Sequence, residues 1–397
     1  MAKIGIYGGS FNPPHKGHTL AAQQCRGLLA LDRVIMIPAA IPPHKALADG
    51  SPDAKARLYL TQLAVSETDG FCVSDLEIKR EGPSYTVDTL RQLREEYPQD
   101  ELYLMMGTDM FLSFHEWFCP EEIAQLATIV CFSRYNVSTE LREKMLQQKE
   151  NMTARYGRTP VLLDNDCVEI SSTEIRRMLT FRIAEPYLDK KVLEEICRQG
   201  LYGTAEDYRQ LPLEKLRKVS LALHKPSRVA HVEGCCETAV ALAKKYGEDE
   251  ELAARAAVLH DATKALTQEQ QLLFCEKYGV QIPPQTAPQL MHAITAAKAA
   301  EVIFGECEAV CSAIRWHTTG KENMAKLQKI VYIADMMEPT RAYPGVERVR
   351  QAVWQDLDKG VEEGLQRTIE HLLERGIPVS PESQQALDWL RDGKDEQ

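Results

Sequence analysis

The 397-residue chain has no apolar run long enough to span a bilayer, no Cys-x-x-Cys pair, no internal repeat and no low-complexity tract. The missing run excludes a transmembrane helix. The N-terminus enters a strand-like segment within a few residues, without the apolar h-region of a secretory leader. Its eleven cysteines, odd in number and scattered, therefore read as reduced, mostly buried thiols of a cytoplasmic protein. Positive charge is also scarce. Lys and Arg total 47 against 58 Asp and Glu, a net charge of −11, which argues against a broad nucleic-acid surface. An anionic ligand would then need local Lys, Arg, metal or backbone donors. What the chain does have is 44% hydrophobic content, ample for the cores of two or three domains.

The first half alternates strand-like and helical segments. Lys3 to Tyr7 is followed by Val34 to Pro38, Phe71 to Ser74, Leu102 to Met106 and Thr128 to Phe132, with helical stretches between them. This order predicts an α/β doubly wound, mostly parallel sheet with ligands at the carboxyl ends of its strands. After about Gly203 almost everything reads as helix, strongest over Leu252 to Leu259 and Leu327 to Ala334. The expected organisation is a Rossmann-like domain over 1–203, a polar linker over 204–212 containing Pro212, and an all-α domain over 213–390. The last residues, Asp392 to Gln397, are expected to fray.

Two segments of the first half bear chemistry. Directly after the first strand runs Gly8-Gly9-Ser10-Phe11-Asn12-Pro13-Pro14-His15-Lys16-Gly17-His18, and a helical stretch from Thr19 to Leu31 follows. A strand, glycine loop and helix in that order present backbone N–H groups and a helix N-terminus to phosphate, and two imidazoles can donate to phosphoryl oxygens. A solvent-exposed turn with incidental histidines is the plainer alternative. Ser171-Ser172-Thr173-Glu174 likewise reads as a capping box or, with Arg176, as a phosphate-binding helix start.

The whole loop resembles the GxFxPxHxGH signature of the nucleotidylyltransferase superfamily. The segments Gly82 to Leu90 (GPSYTVDTL) and Ile170 to Arg176 (ISSTEIR) are similar to those of bacterial nicotinate mononucleotide adenylyltransferases. That resemblance covers residues 1 to about 203. It implies transfer of AMP from Mg²⁺-ATP to nicotinate mononucleotide with release of pyrophosphate, a step of NAD biosynthesis. It assigns His15 and His18 to the ATP phosphates and the transition state, with Lys45 and Arg176 beside them. Gly8, Gly9, Ser10, Phe11, Asp109, Ser171, Ser172 and Thr173 would hold the rest of ATP. Ser84, Tyr85, Thr86 and Trp117 would form the pyridine-nucleotide pocket, Trp117 stacking on the ring while backbone groups read the carboxylate. On their own terms Trp117 reads equally as a core residue, Lys45 as a surface lysine after a proline turn, and Asp109 as an acidic residue after a strand.

The helical half contains His231, the adjacent pair His260-Asp261, and Asp335, all near ends of predicted helices. Such ligands suit Fe, Mn, Zn or Mg, and a carboxylate can bridge two ions. Their order resembles the HD phosphohydrolase superfamily. His292 and Trp316-His317-Thr318-Thr319-Gly320 narrow the likeness to symmetrically cleaving diadenosine tetraphosphate hydrolases, over about 212 to 385. This implies one or two divalent metals, iron first and manganese as the alternative. His292 and His317 would bind a second metal or the polyphosphate, and Lys264 would neutralise phosphate charge. Read without the family, His292 is a helix-surface histidine, His317 a helix C-cap and Lys264 a solvated lysine.

The expected protein is thus a bifunctional enzyme acting on small nucleotides, with no nucleic-acid or membrane partner. A helical half that only senses nucleotides, or that hydrolyses mononucleotides, is the competing expectation. Oligomeric state is not legible.

Overall fold

The computed structural model describes residues 1–43, 46–134, 138–165, 168 and 170–392. They form two compact units, Met1–Glu206 and Asp207–Gln397.

In the first unit β1 (Lys3–Gly9), β2 (Arg33–Pro38), β3 (Phe71–Val73), β4 (Glu101–Gly107), β5 (Thr128–Arg134) and β6 (Val161–Asn165) make one parallel sheet of order β3-β2-β1-β4-β5-β6. Side chains alternate across each strand. Ile4, Ile6, Ile35, Ile37, Leu104 and Met106 therefore meet Val87, Leu90 and Leu93 of the helix Thr86–Glu96 in one layer. Val34, Met36, Met105 and Val130 meet Ala22 and Cys25 of the helix Lys16–Leu28 in the other. Gly5 keeps that second layer close: a Cβ there would lie 2.9 Å from both Leu31 Cδ1 and Met105 Sδ.

Strand order reverses between β1 and β4, and the crevice at their carboxyl ends is where such sheets take ligands. The helix after β1 runs from Lys16 to Leu28, earlier than the expected Thr19 to Leu31. This shift makes His15 the capping residue and puts His18 in the first turn.

The second unit contains helices and no strand among the described residues. Its centre is the helix Glu250–Leu259, capped by Asp249, whose carboxylate accepts from the amides of Glu251 and Leu252. Ala253, Ala254, Ala256 and Ala257 are essentially inaccessible. Their small side chains let the helices Val229–Tyr246, Glu308–Arg315 and Lys326–Met337 pack closely around it. The segment expected to be a free linker is tied down. The Gln210 amide donates to the Phe304 carbonyl at 2.9 Å, and Arg255 Nη1 donates to the Leu211 carbonyl at 2.9 Å.

Candidate active sites in the two units

A cavity of about 880 Å³ opens at the carboxyl ends of β1 and β4. Its wall contains Gly8, Gly9, Ser10, Phe11, His15, His18, Ser84, Thr86, Asp109, Trp117, Ser171, Ser172, Thr173 and Arg176. Segments far apart in the chain thus meet because β1 and β4 end there and the helix Ser172–Thr180 begins there. Lys45 lies outside the described residues. Tyr85 is the exception among the expected site residues. It does not join the cavity wall, and its ring packs on Phe118 with centroids 4.7 Å apart.

The glycine loop is locked from several sides. Phe11, at φ 42°, is held in the left-handed region by ring contacts with Tyr7 (5.5 Å) and His18 (5.1 Å) between centroids. Such a conformation costs a bulky residue about 1–3 kcal/mol and persists only under tight packing. Arg57, fully buried, donates 2.7 Å bonds to the carbonyls of Ser10 and Ala39, fastening the loop to the end of β2. Arg176 Nη1 donates to the Asn12 carbonyl at 2.7 Å and Nη2 to Thr173 Oγ1 at 3.1 Å. Ser171 and Glu174 form the capping box, and Ser172 Oγ donates to the Pro13 carbonyl at 3.0 Å.

The two histidines stack with ring centroids 3.6 Å apart. The His15 amide donates to His18 Nδ1 at 3.2 Å, which leaves Nε2 of His18 as the N–H donor. His15 is 3% exposed, and neither of its ring nitrogens has a partner among the described residues. A buried imidazole left unpaired beside a cavity has hydrogen-bonding capacity free for a ligand or a water. Burial holds both rings far below the usual imidazole range, His18 at about 3, so both are neutral. Gly17 fits closely here, since a Cβ there would lie 3.0 Å from His15 Nδ1 and from the Val168 carbonyl oxygen, tighter than most such contacts.

Where the resemblance places the pyridine pocket, the Ser84 hydroxyl accepts from the Ala40 amide at 3.0 Å, so it ties down the loop after β2. The Trp117 amide donates to the Phe114 carbonyl at 3.1 Å. Of the backbone groups there, the helix start at Thr86 retains the orphan donors. Glu77 joins the cavity wall unforeseen. It is 5% exposed, accepts from Thr89 Oγ1 at 2.7 Å, and burial pushes its carboxyl above the usual range.

In the second unit four histidines and two aspartates converge. His231 lies in the first turn of the helix Val229–Tyr246, and Asp335 near the end of Lys326–Met337. His260 caps the end of Glu250–Leu259, so Asp261 lies in the turn beyond it, not on the helix with His260. His292 starts the helix Met291–Val302, and His317 follows the end of Glu308–Arg315. Asp261 stands between two groups. Its Oδ2 is 3.5 Å from His260 Nε2 and 3.9 Å from His231 Nε2, while its Oδ1 is 3.1 Å from His292 Nε2 and 3.6 Å from His317 Nε2. Asp335 Oδ1 completes the first group at 3.2 Å from His231 Nε2.

The proton positions on these rings decide what the cluster fits. Nδ1 of His260, His292 and His317 faces the carbonyls of Ala257, Gln289 and Ile314 at 2.6, 2.8 and 2.7 Å, and Nδ1 of His231 faces Glu338 Oε1 at 3.0 Å. Each Nδ1 must therefore carry the hydrogen, and each Nε2 presents a lone pair inward. Those lone pairs confront each other at 3.3 Å between His231 and His260 and at 3.2 Å between His292 and His317. Facing lone pairs beside two carboxylates suit divalent cations, and Asp261 is placed to bridge two of them.

Several supporting residues escaped sequence reasoning. Cys235, one helical turn after His231, brings its thiol to 3.5 Å from His231 Nε2, within reach of the first group. Glu338, fully buried, is fixed by the amide and hydroxyl of Thr340 at 2.6 and 2.5 Å. Gly234 makes room for it, since a Cβ there would lie 2.6 Å from Glu338 Oε2. Thr263 Oγ1 donates to the His292 carbonyl at 3.0 Å. Lys264, which the sequence did single out, places Nζ 3.1 Å from both ring nitrogens of His292.

Known proteins divide the chain at the same place. A cytidylyltransferase-like family matches residues 6–178 and an HD domain family residues 228–340. A Thermus thermophilus protein named "Probable nicotinate-nucleotide adenylyltransferase" is 41% identical over 201 residues, 50% of this chain and 99% of the relative. One of the same name from Carboxydothermus hydrogenoformans is 37% identical over 202 residues, 51% of this chain and 98% of the relative. Among solved structures, a "predicted HD superfamily hydrolase involved in NAD metabolism" from Clostridium acetobutylicum is 31% identical, with a TM-score of 0.45 over 46% of this chain and 98% of that one. Plasmodium falciparum nicotinic acid mononucleotide adenylyltransferase complexed with NaAD is 18% identical, with a TM-score of 0.42 over 51% of this chain and 98% of that one. Through its first half the chain belongs to the nicotinate-nucleotide adenylyltransferase family, and its second half carries an HD domain.

Proposed function

We propose that the chain is a bifunctional enzyme, which joins AMP from ATP to nicotinate mononucleotide in its first unit and cleaves diadenosine tetraphosphate symmetrically into two ADP in its second. The first reaction rests on the neutral, unpaired His15 beside His18 in a cavity at the sheet's switch point. Adenylyl transfer needs in-line geometry and charge stabilisation more than a protein nucleophile. A phosphate oxygen of the mononucleotide attacks the α-phosphorus of ATP and pyrophosphate departs, with Mg²⁺ arriving as part of the ATP substrate. Nε2–H of His18 and the His15 ring donate to the oxygens on which charge builds, and the helix starts at Lys16 and Ser172 add their amides. The orphan amides at Thr86 favour the acid mononucleotide over its amide, because a carboxylate gains more from N–H donors than a neutral group.

The second reaction rests on one observation, the placement of Asp261 between two pairs of inward-facing imidazole lone pairs. His231, His260, Asp261 and Asp335 would hold one cation, and Asp261, His292 and His317 a second, with iron or manganese as the candidates. Divalent cations there supply Lewis-acid polarisation of phosphate oxygens. The protein's own share is to orient those ligands through Glu338 and the helix-end carbonyls, and to bring the Lys264 ammonium beside the second group.

Two assays on the full chain test the reading. Pyrophosphate release from ATP with nicotinate mononucleotide tests the first half. Chromatography of diadenosine tetraphosphate products after loading with Mn²⁺ or Fe²⁺ tests the second, with ADP alone expected. AMP plus ATP would place the substrate in another register, and no turnover in metal-replete protein would leave the second unit a nucleotide sensor.

A further inference from the structure

Two arginines reach into the first ligand group. Arg228, just before the helix that carries His231, directs Nε to Asp261 Oδ2 at 2.7 Å. Its Nη2 contacts the same oxygen and lies 3.2 Å from His231 Nε2. Arg341, just beyond the helix that carries Asp335, places Nη2 2.5 Å from Asp335 Oδ1 and Nε 2.8 Å from the Asp335 carbonyl. Three of the four ligand atoms in this group are therefore in contact with a guanidinium.

A divalent cation among those atoms competes directly with both guanidinium groups and repels them. Neither arginine can shed its charge, so each then favours another anion; Arg341 keeps the Glu338 carboxylate 3.7 Å from its Nε, but that group already accepts from His231 and Thr340. Their side chains are 30% and 33% exposed, against 1% for Asp261 and 17% for Asp335, so both arginines are more open to solvent than the carboxylates they touch. Turned away from the metal, they face whatever approaches it from solvent. A planar fork of N–H donors matches the non-bridging oxygens of a phosphate.

We propose that Arg228 and Arg341 are the phosphate-binding residues of the second unit, gripping non-bridging oxygens of the polyphosphate once a divalent cation has taken Asp261, His231 and Asp335 from them. This rests on the phosphohydrolase reading of that site.

The test uses the full chain loaded with Mn²⁺ and titrated with inorganic pyrophosphate by calorimetry. Pyrophosphate binding that persists in Asp261→Ala is subtracted as belonging to the first unit. Arg228→Gln and Arg341→Gln should each keep the wild-type manganese content and weaken the remaining pyrophosphate binding by about tenfold or more, the scale of a lost charge-assisted hydrogen bond. Arg341→Lys should recover part of it. Unchanged pyrophosphate affinity in both Gln variants overturns the proposal. So does a fall in manganese content that parallels the lost affinity, because the arginines would then act on the metal. Wild-type protein that holds manganese but neither binds pyrophosphate at this site nor cleaves nucleotide polyphosphates would sink the hydrolase reading as well. Cleavage with equal pyrophosphate affinity in wild type and variants sinks the arginine assignment alone.

Discussion

The imidazole of His15 lies stacked on that of His18, ring planes 27° apart, while the His15 backbone amide fixes which nitrogen of His18 bears the hydrogen. His18 is therefore a donor set in place before any substrate arrives. His18→Ala should lower adenylyl transfer by about 10²- to 10³-fold, the usual cost of losing one preorganised donor to a transition-state oxyanion. Hydrolysis by the second unit should be unchanged. Near-normal pyrophosphate release from the variant would remove this loop from the chemistry.

The same pair makes stability depend on pH. Both rings have folded pKa values below the unfolded value near 6.5, His18 at about 3. Between those limits the unfolded chain binds more protons than the folded one, so stability falls as pH drops below about 6.5. The melting temperature of the first unit should decrease from pH 7 to pH 5, and a His15→Gln/His18→Gln variant should show a shallower decrease. Parallel slopes in calorimetric scans would contradict this.

Asp261 faces both groups of imidazoles, so Asp261→Ala should strip the second unit of bound divalent metal and of hydrolysis together. Adenylyl transfer should survive. Elemental analysis of protein purified without chelators reads the first effect, and retention of full metal content would exclude the bridging role.

Glu338 touches no ligand-binding nitrogen, yet it accepts the hydrogen of His231 Nδ1 and so keeps the opposite lone pair facing inward. Glu338→Gln preserves shape but also offers an amide N–H to that nitrogen. Manganese affinity should fall by about 10- to 100-fold, as for other outer partners of metal-binding histidines. Equal affinity in wild type and variant, measured by competition with a fluorescent chelator, would reduce Glu338 to packing.

Local patterns carried the architecture in the sequence. The glycine loop, the alternating strands and the Ala-rich helix Glu250–Leu259 each depend on neighbours in the chain, and all were legible there. β6 was not, since only Val161 to Leu163 is apolar after Pro160, too short a run for a period to show. The residues that orient the sites were also hidden. Glu338 acts on a histidine 107 positions away, and Arg57 bonds the loop across 47. No spacing rule marks such a partner, because its role is set by the packing of helices that sequence periodicity places only one at a time. Tyr85 was named by a motif, and its ring packs on Phe118, a contact that no local pattern announces.

Facing lone pairs at 3.2–3.3 Å also make metal supply a thermodynamic variable of the fold. Whatever ion binds the folded cluster and not the unfolded chain adds RT ln(1 + [M]/Kd) to the stability of the second unit, about 2.7 kcal/mol when free metal is a hundred times Kd. Metal scarcity would then act on this polypeptide unevenly, lowering the melting temperature of the half that carries the cluster and leaving that of the other half unchanged.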